Sequence, residues 1–124
     1  MELTEKKILI IDDDIRNIFA LKAVLKAKKY TCESAISAQE GFKLLDVDPQ
    51  IKLILMDMMM PEMDGYEAIS YLKSHTKYKS IPIIAVTAQA MMGDKERSLA
   101  VGASAYVSKP IKIDELLKHI NVYF

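Results

Sequence analysis

Residues 51–57 read Ile51-Lys52-Leu53-Ile54-Leu55-Met56-Asp57, and the fold turns on that stretch. A short, almost unbroken apolar run that stops at a carboxylate is the pattern of a strand covered on both faces, with its last residue at the sheet edge. Residues 7–12 repeat it: Lys7, then four consecutive apolar residues of which three are β-branched, then Asp12, Asp13 and Asp14. Between these two runs, apolar residues at Ile18, Leu21, Val24 and Leu25 have helical spacing, which predicts a helix of about four turns within Asp14 to Lys29. Tyr30 to Ser34 is a weaker, edge-type strand. Ser37 stands three residues before Glu40, a capping-box pattern that opens a helix through Gly41 to Leu45, with Pro49 beyond its end. After Asp57 a loop with Pro61 and Gly65 leads to a helix ending near Ser74. Ile81 to Val86 reads as a strand ending at Thr87, Gly93 to Val101 as a helix stopped near Gly102, and Ser104 to Ser108 as a strand ending at Lys109-Pro110. A last helix starts at Asp114 or just before it and runs to about Tyr123. β and α alternate five times, so the predicted class is α/β, a (βα)5 chain with one parallel sheet and helices on both faces.

The chain has 124 residues, 51% hydrophobic and 27% charged, with 17 Lys plus Arg against 17 Asp plus Glu. That size predicts one domain over residues 1–124, with no room for a DNA-binding output domain. Zero formal net charge argues against non-specific binding to nucleic acid or anionic membranes, which need a basic excess. No apolar run approaches the ~18 residues of a membrane span. The first seven residues carry no signal-peptide core, so the expected location is cytoplasmic. One cysteine, Cys32, excludes an internal disulfide and a cysteine-cluster zinc site.

Where each strand stops is the informative fact. Strand one ends in Asp12-Asp13-Asp14, strand three in Asp57, strand four in Thr87, strand five in Lys109; strand two ends in the uncharged Ser34-Ala35-Ile36. In an open parallel sheet, ligands bind at the carboxyl edge where strand order reverses. Strands one, three, four and five are then neighbours with strand two outside, giving the order 2-1-3-4-5. A single Asp at a strand end is ordinarily a turn or N-cap residue. Polar residues at four such ends form a constellation. Asp12, Asp13 and Asp57 bring roughly three negative charges into one crevice, Lys109 returns about one, and a divalent cation returns about two. Oxygen-only ligands point to Mg²⁺, and Mg²⁺ beside a carboxylate and a lysine points to phosphoryl handling.

At these residues the sequence resembles the response-regulator receiver domain of two-component signalling. The motifs are I-L-I-I-D-D-D, L-I-L-M-D-M-M-M-P-E-M-D-G-Y-E, P-I-I-A-V-T-A and G-A-S-A-Y-V-S-K-P-I, over about Lys6 to Phe124. The resemblance implies a flavodoxin-like, doubly wound five-stranded sheet, and the 2-1-3-4-5 order belongs to that family as well. It implies that Asp57 accepts a phosphoryl group from the phosphohistidine of a histidine kinase or histidine phosphotransfer protein. Asp12 and Asp13 resemble the acidic pair, Asp13 ranked ahead as direct ligand of Mg²⁺, with Asp57 and the backbone carbonyl of Met59 completing the metal site. Thr87 resembles the hydroxyl that bonds the phosphoryl oxygen, Lys109 the lysine that pairs with it, and Tyr106 the aromatic switch that turns when Thr87 moves. The expected product is a changed surface around strands four and five and the fourth helix, read by a downstream protein; a monomer is the default.

Asp12-Asp13-Asp14 followed by Asn17, together with residues 88–96, resembles the receivers of hybrid histidine kinases and phosphorelays. Ile15 and Phe19 fall away from the predicted core face of helix one, beside Lys22 and Lys26, where they suit a docking partner. Met59 and Gln89 flank the phosphoacceptor in the family pattern. A thioether at Met59 orients no water, which predicts slow loss of the phosphoryl group. The methionines, with Met56, Met58, Met59, Met60 and Met63 in one segment, are expected to pack the core and fill loops rather than bind a soft metal, and Cys32 to act as a small apolar residue. His75 and His119 fall on different helices and form no ligand pair. The rival reading is a metal-dependent aspartyl-phosphate phosphohydrolase. Haloacid-dehalogenase-like enzymes place a second Asp two residues after the nucleophile, where this chain has Met59. A flavin module needs a phosphate loop free of carboxylates after strand one.

Overall fold

The computed structural model describes residues 6–88 and 93–124. In chain order the elements are β1 (Lys7–Ile11), α1 (Ile15–Ala27), β2 (Thr31–Ala35), α2 (Ala38–Val47), β3 (Ile51–Asp57), α3 (Gly65–Ser74), β4 (Ile83–Thr87), α4 (Asp94–Ala100), β5 (Ala105–Ser108) and α5 (Ile113–Tyr123). All neighbouring strands pair in parallel, and the sheet order is β2-β1-β3-β4-β5. The expected doubly wound sheet, with its reversal between β1 and β3, is what the chain forms.

The apolar runs split by residue parity, as a pleated strand requires. Ile8 and Ile10 of β1, Leu53 and Leu55 of β3, Ile84 of β4 and Val107 of β5 face one side. There they meet Ile18, Leu21 and Leu25 of α1 and Leu116 and Ile120 of α5. Leu9, Ile11, Ile54, Met56 and Ala85 face the other side, against Ala38 and Leu45 of α2 and Ala68, Ile69 and Leu72 of α3. Both faces are covered, so the middles of the central strands are apolar, and the polar residues Lys7, Lys52, Asp57 and Thr87 fall at or next to the strand ends. Each of these buried leucines and isoleucines contributes roughly 1.5–3 kcal/mol of apolar burial.

Several boundaries differ from the sequence reading, each for a local reason. Asp14 is the N-cap of α1, its side chain accepting from the Arg16 backbone N–H, and not the first helical residue; the helix stops at Ala27 with Lys28 as C-cap. β2 is shifted one residue on. β4 begins at Ile83, since Pro82 offers no N–H to a ladder. Gly93, at φ 92°, caps α4 from outside, so the helix starts at Asp94. Gly65 is the first residue of α3, not part of the preceding loop: Asp64 is its N-cap in a full capping box with Glu67. A Cβ on Gly65 would run into the Met58 side chain and come 2.6 Å from Met58 Cα, so only glycine permits this close return of the chain. At α2 the Ser37 side chain accepts from Glu40 N as expected. The Glu40 carboxylate takes the Ile36 N–H, one residue further back than a regular capping box uses.

Met56, Met58 and Met60 are buried and Met63 packs partly against the core, whereas Met59 is exposed. Cys32 lies partly buried on β2, where burial pushes its thiol up to about 11 and leaves it unreactive. No described helix is long and apolar enough to cross a membrane.

Candidate functional site

The pairing that builds the sheet also builds the site at its carboxyl edge. The Asp12 N–H donates to Ala35 O and the Met58 N–H to Val86 O, so the ladder continues just past β1 and β3 and leaves Asp12 and Asp57 beneath the edge. Asp12 is 3% and Asp57 4% exposed, while Asp13 stands in solvent. One carboxylate oxygen from each of the three lies within 4.8 Å of the others. At such separations each like-charge pair costs roughly 3 kcal/mol at an effective dielectric of about 20.

Few groups offset that charge. Lys109, delivered by β5 and followed by a cis bond to Pro110, places Nζ 3.5 Å from Asp12 Oδ2 and 3.8 Å from Asp57 Oδ1. The Asp14 N–H donates to Asp12 Oδ1 at 2.8 Å, the Asn17 amide reaches Asp12 Oδ2 at 3.5 Å, and the Met59 N–H donates to Asp57 Oδ1 at 3.2 Å. Burial pushes the Asp57 carboxyl up to about 6. The Asp12 and Asp13 charges push the same way, against the Met59 N–H and Lys109. The pocket is too acidic for its own cation. A set of carboxylate oxygens with no sulfur or imidazole could hold a hard divalent metal ion.

Thr87 ends β4, buried, one register position beyond the Asp57–Val86 pair, and the Lys109 N–H donates to its carbonyl at 2.7 Å. Tyr106 pairs with Ala85, two residues before Thr87, and so lies on the same face of the sheet, half-buried against the α2–α3 side of the core. Ile15 and Phe19 are 68% and 75% exposed, on the face of α1 the sequence assigned them. Met59 is exposed just past Asp57; Gln89 lies outside the described residues.

Sequence reasoning missed three contributors. Asn17, in the sequence only a mark of the subgroup, touches Asp12 in the fold. The Asp64–Glu67 capping box, which brings Gly65 back against Met58, was legible as D-x-x-E and passed over. Ile36 ends the one strand without a charge and is exposed at the same edge as Ile15 and Met59.

The sequence model of the family described as "Response regulator receiver domain" matches residues 8–121. The chain belongs to the response regulator receiver family. A polar-differentiation response regulator, DivK, of Brucella anthropi is 36% identical over 120 residues, 95% of each chain. The receiver domain of a signal transduction histidine kinase from Syntrophus aciditrophicus superposes with a TM-score of 0.86 at 32% identity, over 95% of this chain and 89% of that one. A third similar structure is the receiver domain of the Saccharomyces cerevisiae response regulator Ssk1, crystallised with the histidine phosphotransfer protein Ypd1. It shows 25% identity and a TM-score of 0.86, over 99% of this chain and 91% of that one. As a receiver domain the chain is a regulatory phosphoacceptor of two-component signalling, and receivers take partners among histidine kinases and phosphotransfer proteins. The phosphohydrolase reading finds no support among these relatives.

Proposed function

We propose that this receiver takes a phosphoryl group from a partner phosphohistidine onto Asp57 in a Mg²⁺-dependent step. The observation that carries the reading is the meeting of Asp12, Asp13 and Asp57 within 4.8 Å, with the Lys109 amine 3.8 Å from Asp57. Asp12, Asp13, Asp57 and the Met59 carbonyl would hold Mg²⁺, which when bound supplies positive charge beside the phosphoryl oxygens. An Asp57 carboxylate oxygen forms the new O–P bond as the P–N bond breaks, and the imidazole nitrogen keeps that electron pair and takes up a proton. Lys109 balances the oxygen charge. The Asp57 site assists its own phosphorylation, while Met59 offers no group to orient a hydrolytic water, so loss is slow.

The phosphoryl group adds roughly one negative charge and new acceptor oxygens. The Thr87 hydroxyl turns toward them, Tyr106 follows on the same face, and the surface of β4, β5 and α4 shifts between two packings of one fold. Ile15 and Phe19, with Ile36 and Met59 at the same edge, suit docking of a partner helix bundle. The receiver acts as a cytoplasmic monomer on a downstream protein and not on nucleic acid or membrane.

Incubation with Mg²⁺ and acetyl phosphate tests the reading. Saturating, stoichiometric label on Asp57 is expected; continuous release of phosphate identifies a hydrolase instead. Phe19→Glu should slow transfer from a cognate phosphohistidine protein and leave acetyl phosphate labelling intact. Equal loss with both donors removes the docking role.

A further inference from the structure

α4 is anchored unlike the other helices. Its seven residues bury one side chain, Ser98, whose Oγ has no hydrogen-bond partner. Leu99 is exposed, and Val101 at the C-cap packs only partly against the core. α3 by comparison buries Ala68, Ile69 and Leu72. Helices in proteins are held mainly by an apolar face, and α4 buries none.

Tyr66, in the first turn of α3, holds it instead. The Arg97 guanidinium carbon lies 3.8 Å from the centre of the Tyr66 ring, and the Tyr66 hydroxyl donates to Asp94 Oδ1 at 3.3 Å. Asp94 and Arg97 are three residues apart, on one face of α4, so a single ring grips the helix at both. The base of that ring is fixed to the phosphoacceptor loop: the Gly65 N–H donates to Met58 O, next to Asp57. Tyr66 and Tyr106 both pack, partly buried, against the same side of the core, which puts the grip on the switch tyrosine's side of the sheet.

We propose that Tyr66 is a positioning residue for the switch: its ring, under Arg97 and bonded to Asp94, holds α4 in the packing that goes with unmodified Asp57, and phosphorylation works against that grip. The proposal rests on the phosphoacceptor reading and adds to it the part that sets the resting population. Cation–π and hydroxyl–carboxylate contacts at a half-exposed site exchange for water at small cost, unlike buried leucines, so α4 can move while the rest of the fold stays intact. The unpartnered Ser98 hydroxyl works against the grip, since a buried hydroxyl without a partner disfavours the packing that contains it, so the resting packing depends on Tyr66 the more.

The experiment measures the affinity of beryllofluoride, a phosphoryl mimic, in saturating Mg²⁺, and the Mg²⁺ affinity separately. Tyr66→Leu is expected to tighten beryllofluoride binding about 3- to 10-fold and Arg97→Gln about 2- to 5-fold. Tyr66→Phe, which keeps the ring, should fall between wild type and Tyr66→Leu, Arg97→Lys should stay near wild type, and Mg²⁺ affinity should not change in any of them. Arg97 is exposed, so Arg97→Gln leaves the core intact even where Tyr66→Leu impairs folding. Unchanged beryllofluoride affinity in Arg97→Gln overturns the proposal, and weaker binding overturns it by assigning the grip to the phosphorylated packing. Failure of the wild-type protein to bind beryllofluoride at all sinks the phosphoacceptor reading first, and the grip with it.

Discussion

β1 carries charge at both ends, and the two ends are arranged in opposite ways. At the amino end Lys7 Nζ sits 2.9 Å from Asp48 Oδ2 and 3.4 Å from Glu33 Oε2, all partly in solvent. The hydrogen bond between Lys7 and Asp48 raises the lysine and lowers the carboxyl, so both charged forms are favoured. At the carboxyl end three acids share one lysine at longer range. Two of them are beneath the surface, and burial drives the Asp57 carboxyl up to about 6. The same residue types thus give a settled ion cluster in one place and an unsettled one in the other. What separates them is burial and the count of carboxylates per amine. The settled end supports the fold; the unsettled end favours whatever brings positive charge to it.

The sharpest way to break this contrast is Asp57→Asn. It should abolish phosphoryl incorporation from acetyl phosphate, while in metal-free buffer at pH 7.5 the variant melts several degrees above wild type. An Asn variant that melts lower would mean that the carboxyl edge is not strained. Next in size is the pH dependence. A raised Asp57 pKa means the folded state holds that proton more tightly than the unfolded chain. The stability from this group is therefore fully present below about 4 and lost as pH rises through about 6. The stability difference between Asp57→Asn and wild type should grow over that window and shrink when Mg²⁺ is added. A lowered Asp48 pKa runs the other way, with stability present above the usual carboxylate range and lost as pH falls.

Met59→Asn should speed loss of the phosphoryl group about tenfold, by placing an amide where it can orient water beside Asp57. Radiolabel decay at constant Mg²⁺ measures it, and an unchanged half-life would remove Met59 from the account of slow loss. The smallest effect is expected from Lys7→Met: a fall in melting temperature of about 2 °C, independent of Mg²⁺, with labelling unchanged. Sensitivity of that variant to Mg²⁺ would couple the two ends of β1 and dissolve the contrast.

The site and the existence of α4 are legible in the sequence, but what holds α4 is not. Asp12, Asp57, Thr87 and Lys109 each follow a strand signal, and local periodicity is enough to find a strand end. The N-terminus of α3 is hard to see in the sequence because Gly65 looks like a loop residue until Asp64 and Glu67 are paired as a capping box. α4 offered no apolar stripe to read, because its face is held by Tyr66 from another helix. The uncharged Ser34-Ala35-Ile36 end does mark β2 as the outer strand, but the exposure of Ile36 beside Ile15 and Met59 depends on how the strand ends line up across the sheet.

The sequence alone determined the alternation of strands and helices, the two-sided burial of β1 and β3, and the acidic or polar residue that ends each central strand. These follow from the spacing of side chains along a few neighbouring residues. Tertiary structure alone decided the charge state of the pocket and the hold on α4. The Lys109 amine reaches Asp12 across 97 residues of chain, and Tyr66 reaches Arg97 from one helix to the next. Distance and burial set the strength of such contacts, and both come into being only when the sheet closes.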